Sequence, residues 1–147
     1  MAEIALVPIG QVHNAVTEPR RGGWEDIPSE LVLDEGFTDF LDGVEGFSHL
    51  IVVYWMHRLP AMEHPPARVH PMGRAELPLV GLFATRAPYR PNPLGVTVVR
   101  LVERQGPVLK VVGLDALDGS PLIDIKPFIP PADSPPDVSV PEWAERP

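Results

Sequence analysis

Apolar residues occur in short runs along the chain, and polar, proline-rich or glycine-rich stretches separate these runs. The clearest run, Phe47 to His57, holds seven apolar residues in succession and predicts a strand that is buried on both faces. A second run contains Pro8 and predicts an edge strand, because proline cannot donate to a central ladder. In all, single strands are predicted over residues 4–12, 31–33, 47–57, 79–85 and 122–125.

Two local signals complete the pattern. A hairpin is predicted to pair residues 96–102 with 108–114 across Gln105-Gly106-Pro107. Thr38 is expected to cap a short helix that runs through Leu41 and ends at Gly43. Six or so short strands and one short helix indicate the all-β class, with a barrel or a sandwich in a single domain.

Proline accounts for 20 of the 147 residues. Because proline breaks helix interiors, this content excludes a helix bundle. Loops are predicted over residues 14–28 and 58–78, and the chain from Pro127 onward is expected to be extended or disordered. We therefore expect one domain over residues 4–130, followed by a proline-rich tail over residues 131–147.

Several classes of protein are disfavoured by what the sequence lacks. The chain has no cysteine, which excludes disulfides, zinc–thiolate sites and cysteine nucleophiles. His57, His64 and His70 match no metal-binding spacing, so no metal is expected. The longest apolar run is too short to span a bilayer, and Met1-Ala2-Glu3 is not the basic start of a signal peptide. The expectation is a cytoplasmic protein with no membrane partner.

The chain is strongly acidic, and its charged residues are unevenly distributed along the sequence. The formal net charge of −8 argues against a nucleic acid partner, because polyanions normally meet a basic face. Residues 18–45 carry nine acids and two arginines, whereas residues 58–104 carry seven arginines and three acids. The middle third therefore forms either a basic patch on an acidic body or a surface of solvated arginines.

Residues 83–95 form a loop of the sequence Phe-Ala-Thr-Arg-Ala-Pro-Tyr-Arg-Pro-Asn-Pro-Leu-Gly. Each proline fixes its own φ and restricts the residue before it, so the loop is expected to be stiff. It presents Arg86 and Arg90, whose guanidinium groups suit a carboxylate or a phosphate ligand. The alternative is a structural connection whose arginines pair with the many acids of the chain.

Residues 114–127, Leu-Asp-Ala-Leu-Asp-Gly-Ser-Pro-Leu-Ile-Asp-Ile-Lys-Pro, combine a turn signal with a strand. The side chains of Asp124 and Lys126 are predicted to share one face of that strand, opposite Ile123 and Ile125. The carboxylate and the ammonium form either a plain salt bridge or part of a site.

In this order, the two segments resemble the TsaA-like (TrmO) family. Ile9-Gly10, Gly46 to His57 and Gly81 to Arg86 also resemble the family pattern, so the resemblance covers roughly residues 4–130. It implies a small β-barrel that uses S-adenosyl-L-methionine as methyl donor and tRNA as partner, with N6 of threonylcarbamoyladenosine at position 37 as the acceptor. This agrees with the absence of the Rossmann fingerprint G-x-G-x-x-G from the sequence.

The resemblance also implies a homodimer, with S-adenosyl-L-methionine bound near the subunit interface. The number of large aromatic residues supports a dimer, since one small barrel need not bury them all and two-fold homodimers are common. These residues are Trp24, Phe37, Phe40 and Trp55.

Motif by motif, the resemblance implies a set of cofactor-binding residues. Two of them depart from the family pattern: Arg21 stands where Gln is usual, and Ser120 replaces Thr. The first departure puts the cofactor contact at position 21 in question, and the second is conservative. The implied set is Pro19, Arg20, Arg21, His57, Arg86, Val96, Asp118, Gly119, Ser120 and Pro121.

Methyl transfer from a sulfonium needs in-line positioning more than covalent chemistry. Asp118 and Asp124 are the catalytic candidates to accept the proton that N6 loses, and either one equally suits the ammonium of the cofactor. Arg90 is expected on the substrate side, at an RNA phosphate or at the threonyl carboxylate. Two other hypotheses stay open: a methyltransferase for a small molecule, which the acidic charge favours, and a non-catalytic S-adenosyl-L-methionine-binding protein.

Overall fold

The computed structural model describes residues 2–58 and 64–145. Its regular elements are mainly strands, joined by short 3-10 turns. The strands are β1 (Gly10–His13), β2 (Pro28–Leu33), β3 (His49–Trp55), β4 (Arg68–Val69), β5 (Val80–Gly81), β6 (Leu94–Gln105), β7 (Val108–Val112) and β8 (Pro121–Pro127). The helical elements are 3-10 turns at Glu35–Leu41, Val44–Gly46, Pro71–Gly73, Leu82–Ala84 and Glu142–Ala144, and the short helix α1 (Pro130–Asp133).

Six of the strands close an antiparallel barrel in the order β1-β2-β7-β6-β3-β8. Strand β3 pairs with β6 on one side and with β8 on the other. The predicted all-β barrel is therefore confirmed. The hairpin of β6 and β7 is also confirmed, and it pairs Gln105 with Val108 next to its turn.

Alternate residues of the barrel strands point into a hydrophobic core. Leu50, Val52 and Tyr54 of β3 are buried, whereas Ile51 and Val53 lie half-buried on the outer face. The prediction that β3 is buried on both faces was wrong, because no layer of the described chain covers the outer face of this sheet. The fully buried side chains of the core include Val12, Leu31, Leu50, Val52, Val99, Leu109, Val111, Leu114 and Leu122.

The two ends of the barrel differ in what closes them. At the helix end lie the 3-10 turn Glu35–Leu41 and the β6–β7 turn. At the loop end lie the β1–β2 loop, the residues that follow β3, and the connection from β7 to β8.

Two predicted strands are shorter in the structure. β1 begins at Gly10 rather than at residue 4, because Pro8 has no N–H to donate and residues 2–8 are exposed. Of residues 79–85 only Val80–Gly81 is a strand, paired with Arg68–Val69. The chain then turns at Leu82–Ala84, which buries Leu82 and exposes Phe83.

The predicted cap by Thr38 was also wrong. Thr38 lies inside the 3-10 turn Glu35–Leu41, and its hydroxyl donates to the Glu35 carbonyl at 2.8 Å. Gly43, with φ of 90°, follows that turn as predicted. Part of the predicted loop 58–78 and the last two residues of the predicted tail lie outside the described residues, and the described part of the tail holds two short helical turns. None of the helices within the two described ranges is long and apolar enough to cross a membrane.

Candidate functional site

The turn that precedes β8 is fastened to β1 at the loop end. The Gly119 N–H donates to the Val12 carbonyl at 2.7 Å, and the Val12 N–H donates to the Ser120 carbonyl at 2.9 Å. Ser120 is buried, and its hydroxyl donates to the Leu117 carbonyl at 2.7 Å. Gly119 has a φ of 84°, a conformation that favours glycine. The sequence Asp118–Pro121 therefore forms a fixed turn.

Asn14, which no sequence motif singled out, makes four hydrogen bonds at this end. Its backbone N–H donates to Asp118 Oδ1 at 3.0 Å. Its Nδ2 donates to the Ala116 carbonyl at 2.8 Å and to Ser29 Oγ at 3.0 Å, and its Oδ1 accepts from the Val16 N–H at 2.9 Å. One residue thus joins the β1–β2 loop, β2 and the turn of Asp118.

The β1–β2 loop carries Pro19, Arg20 and Arg21, all exposed. Arg20 donates to the carbonyls of Gly22 and Gly23, and its guanidinium carbon lies 5.4 Å from the Trp24 ring centroid. Arg21 Nη1 donates to the Met72 carbonyl at 2.9 Å. Both arginines therefore hold loops in place through part of their donors.

Two backbone carbonyls of the same loop connect it to Asp118 and to Arg58, the residue after His57. The Val16 carbonyl accepts from the Asp118 N–H at 2.8 Å. The Thr17 carbonyl accepts from Arg58 Nη1 at 2.8 Å. The loop that carries the implied cofactor residues therefore lies against both the Asp118 turn and the end of β3.

His57 follows β3 and faces the Asp118 turn. A Cβ built on Gly119 would lie 3.5 Å from His57 Nε2, so the imidazole is in contact with this turn. Loss of hydration lowers the pKa of His57, and the charge of Arg58 lowers it further, whereas the charge of Asp118 opposes both. The structure therefore favours the neutral imidazole at this position.

Tyr54 closes the barrel beneath this site. Its hydroxyl donates to Asp115 Oδ1 at 2.9 Å and to the Asp115 carbonyl at 3.1 Å, and Thr97 Oγ1 donates to the same carboxylate. Burial and the charge of Asp115 raise the pKa of Tyr54, so it stays a donor. A Cβ added to Gly95 would lie 2.3 Å from the nearest atom of the Tyr54 ring, so this position has room only for glycine. These contacts hold the β7–β8 connection on the barrel.

The arginine loop, residues 82–93, ends beside His57. The Met56 N–H donates to the Pro93 carbonyl at 2.8 Å. Arg90 Nη1 donates to the carbonyls of Thr85 and Ala87 at 3.0 and 3.1 Å, so part of its guanidinium holds its own loop. Arg86 is exposed, and among residues 2–58 and 64–145 no hydrogen bond or ion pair holds its side chain.

The two remaining predicted residues lie on the outer face of the barrel. Val96 is 60% exposed and stands opposite Val53 of β3. Asp124 shares that face with Lys126, and Lys126 Nζ lies 3.0 Å from Asp124 Oδ2. The plain salt bridge, which the sequence left open, is therefore present. Asp124 also lines a cleft of about 480 Å³ at the helix end, together with Phe37 and Phe40.

The arrangement brings some of the implied residues together and separates others. His57 and residues 118–121 meet at the loop end, and the loop of residues 19–21 lies against them. Asp118 and Asp124 lie in different surroundings, so they do not form a pair of carboxylates. In the part of the chain that the structure describes, no three acidic or histidine side chains are grouped as metal ligands.

Known proteins with similar sequences identify the family of this chain. The sequence model of the tRNA-methyltransferase O N-terminal domain matches residues 11–134. A probable S-adenosyl-L-methionine-binding protein of Pyrococcus abyssi is 40% identical, over 97% of this chain and 77% of that protein. The tRNA (adenine(37)-N6)-methyltransferase of Escherichia coli is 39% identical, over 74% of this chain and 48% of the enzyme.

Solved structures agree with the sequence comparison. The crystal structure of TrmO from Pseudomonas aeruginosa superposes with a TM-score of 0.74 at 30% identity and covers 94% of this chain. This chain spans 62% of the length of that structure. The chain belongs to the family of tRNA-methyltransferase O N-terminal domains.

Proposed function

We propose that this protein transfers the methyl group of S-adenosyl-L-methionine to a tRNA, and that the acceptor is N6 of threonylcarbamoyladenosine at position 37. The observation that carries the proposal is the loop end, where His57, the Asp118 turn and the β1–β2 loop meet. The names of the relatives support the donor and the tRNA. For a tRNA acceptor, the expected compartment is the cytoplasm.

The Asp118 turn and the arginine loop carry groups that fit the charges of the methyl donor. The methionyl part of S-adenosyl-L-methionine carries an ammonium and a carboxylate, and its sulfonium makes the methyl group electrophilic. The Asp118 carboxylate, whose Oδ1 accepts from the Asn14 backbone N–H, suits the ammonium or the acceptor's N–H. The exposed guanidinium of Arg86 suits the carboxylate, because it forms two parallel hydrogen bonds with such a group. Gly119 leaves room beside His57.

The chain's own contribution to the reaction is orientation. As the bond from N6 to the methyl carbon forms and the bond from sulfur to that carbon breaks, N6 must lose its proton. We assign this proton to Asp118 rather than to Asp124, because Asp124 is paired with Lys126 on the outer face. The lowered pKa of His57 favours the neutral imidazole, and a neutral imidazole would add no repulsion to the positive charge of a bound methyl donor.

The strong net negative charge of −8 favours a second candidate function, methylation of a small molecule. An assay that offers unmodified tRNA, threonylcarbamoylated tRNA and the free nucleoside separates the candidates. Mass spectrometry of the products should find the new methyl group on the threonylcarbamoylated tRNA. Transfer to the free nucleoside alone supports the small-molecule acceptor, and cofactor binding without any transfer supports a binding protein.

The role of Asp118 has its own kinetic signature. If Asp118 accepts the proton, Asp118→Asn lowers kcat at saturating cofactor and leaves cofactor affinity nearly unchanged. If Asp118 holds the ammonium instead, the same variant raises the Kd of the cofactor. Asp124→Asn serves as the control and should change neither quantity.

Arg86 is the sharpest test of the cofactor side. Arg86→Ala should weaken cofactor binding by about 1.5–3 kcal/mol, the loss expected for charged hydrogen bonds. Calorimetric titration measures this change. Arg74→Ala removes another exposed arginine, one that is already paired with Glu76, and should leave cofactor affinity unchanged. Wild-type affinity in Arg86→Ala contradicts the assignment.

We also propose that the protein is a homodimer that buries the outer face of β6 and β3. Val96 and Val98 are 60% and 46% exposed there, and they stand opposite Val53 and Ile51 in the ladder. Because Val96 belongs to the implied cofactor set, the cofactor site and the interface would adjoin. Val98→Asp should separate the dimer in a light-scattering experiment. A wild-type particle of 16.1 kDa contradicts the proposal.

A further inference from the structure

An exposed aromatic ring on the arginine loop has no part in the site described above. Phe83 is 79% exposed at the turn Leu82–Ala84, although its neighbour Leu82 is buried. The Arg90 guanidinium carbon lies 5.6 Å from the Phe83 ring centroid. Since two carbonyls of the loop hold Arg90 Nη1, the cation lies in a fixed place over the ring. Phe83 and Arg90 thus form an ordered aromatic surface at this turn.

Positive charge surrounds this ring. Arg68 stands opposite Gly81 in the β4–β5 pair, and the Leu82 N–H donates to the Ala67 carbonyl at 2.9 Å, so Arg68 lies beside the turn. Arg86 is three residues further along and exposed. Residues 64–93 carry four arginines and one glutamate, a net charge of +3 in a chain whose total is −8. The ring and the positive charge therefore coincide.

An exposed aromatic ring among arginines is the combination that binds unpaired nucleotides. Bases stack on aromatic faces, and guanidinium groups bind the phosphates between them. We propose that Phe83 is a stacking platform for an unpaired base of the RNA, and that Arg68 binds a flanking phosphate. This proposal rests on the proposed function, because it names the surface that receives the tRNA loop.

The loop is built to bind without a large loss of conformational freedom. Pro88, Pro91 and Pro93 restrict its backbone, so little entropy remains to be lost when a ligand is bound. The loop ends at Pro93, which is bonded to Met56 next to His57. A base on Phe83 is therefore held by the same loop that reaches the candidate site.

A second exposed phenylalanine offers a matched control. Phe40 is 77% exposed, almost as much as Phe83, but it lies at the helix end. Residues 34–45 around it carry five acids and no base. That surface repels a polyanion, so exposure without positive charge should give no RNA binding.

The experiment measures the affinity of the full chain for an anticodon stem-loop RNA, with the fully paired duplex of the same length for comparison. Phe83→Ala should weaken binding to the stem-loop by about ten-fold or more, the loss typical of one base–aromatic contact. Phe83→Trp should restore binding, whereas Phe83→Leu, which keeps an apolar side chain but no ring, should not. Phe40→Ala should match the wild type. Cofactor binding by calorimetry should be unchanged in all four variants, which shows that each one is folded.

Each outcome decides the proposal. Equal stem-loop affinity in Phe83→Ala and the wild type overturns it, even if the wild type methylates tRNA and the proposed function stands. A wild type that binds the stem-loop through Phe83 but transfers no methyl group supports the platform and overturns the proposed function. If Phe83→Ala separates a dimer and leaves RNA affinity unchanged, the ring is a subunit contact and the platform is overturned.

Discussion

The two ends of the barrel are held by different kinds of interaction. At the helix end, Arg104 donates to the carbonyls of Thr38 and Gly106 and also pairs with Asp42 and Glu45, whose carboxylates are largely exposed to solvent. At the loop end, Asn14 and Tyr54 are fixed by hydrogen bonds to partly buried groups on distant segments. Exposed ion pairs contribute little to stability because water and salt screen them, whereas buried hydrogen bonds are costly to break.

This difference agrees with the place of the candidate site. A group that positions a methyl donor must be held closely, since small displacements cost rate. The Asp118 turn is held by backbone hydrogen bonds on two sides, to Val12 and to Val16. The helix end instead leaves an open cleft beside Phe37 and Phe40. The implied cofactor residues of the Asp118 turn therefore lie on a segment that several hydrogen bonds fix.

The largest expected effect is that of Gly95→Ala at the loop end. The new Cβ would lie 2.3–2.7 Å from three atoms of the Tyr54 ring, which its hydroxyl bonds to Asp115 hold in place. The free energy of unfolding should fall by about 3 kcal/mol, the upper part of the range for overpacking. Urea unfolding measures it.

Gly36→Ala is the matched control for this change at the helix end. A Cβ there meets nothing within 4 Å, and its φ lies outside the left-handed region. The free energy of unfolding should change by no more than about 0.5 kcal/mol. Equal losses in the two variants would mean that the loop end is no more tightly packed than the helix end.

Asn14→Ala should have the next largest effect. It removes three side-chain hydrogen bonds and leaves the Val16 N–H and the Ala116 carbonyl without their partners. The free energy of unfolding should fall by about 2–3 kcal/mol at roughly 1 kcal/mol for each bond. Cofactor affinity should fall as well, because Ala116, two residues before Asp118, loses the side-chain hydrogen bond that joins it to the β1–β2 loop.

Arg104→Ala separates the effect on the site from the effect on stability. Arg104 donates to the carbonyls of Thr38 and Gly106, so its loss should cost about 1–2 kcal/mol of stability. Cofactor affinity by calorimetry should nevertheless equal that of the wild type. If Arg104→Ala weakens cofactor binding as much as Asn14→Ala does, the two ends are coupled and the distinction between them fails.

The sequence predicted the parts of this molecule that depend on neighbours along the chain. The β6–β7 hairpin follows from apolar runs on both sides of one turn, and the Asp118-Gly119 turn follows from its own residue types. The prediction of a strand over residues 79–85 was wrong beyond Gly81, because the burial of Leu82 in the fold outweighed the local strand propensity.

Asn14 and Asp115 were missed for a different reason. Asn14 bonds to Ala116 and Asp118, 102 and 104 residues away, and Tyr54 bonds to Asp115 at a separation of 61. No local pattern reports such pairs, since an asparagine after a strand is typical of any turn. Phe83 was likewise part of a predicted apolar strand, and only the fold shows that its ring is exposed.

The smallest expected effect concerns the charge of His57, and it tests the electrostatics of the loop end directly. Partial loss of hydration and then Arg58 lower the pKa of His57 from its ordinary value of 6.5, and Asp118 opposes them. Below pH 6.5 the unfolded chain therefore binds a proton more readily than the folded one. The contribution of His57 to stability is present above pH 6.5 and is lost as the pH falls through the lowered folded pKa. An NMR titration of the imidazole should give a midpoint below 6.5. Asp118→Asn should lower this midpoint further, whereas Arg58→Met should raise it. If both substitutions leave the titration midpoint unchanged, His57 does not lie close to the Asp118 turn, and the loop end is not one site.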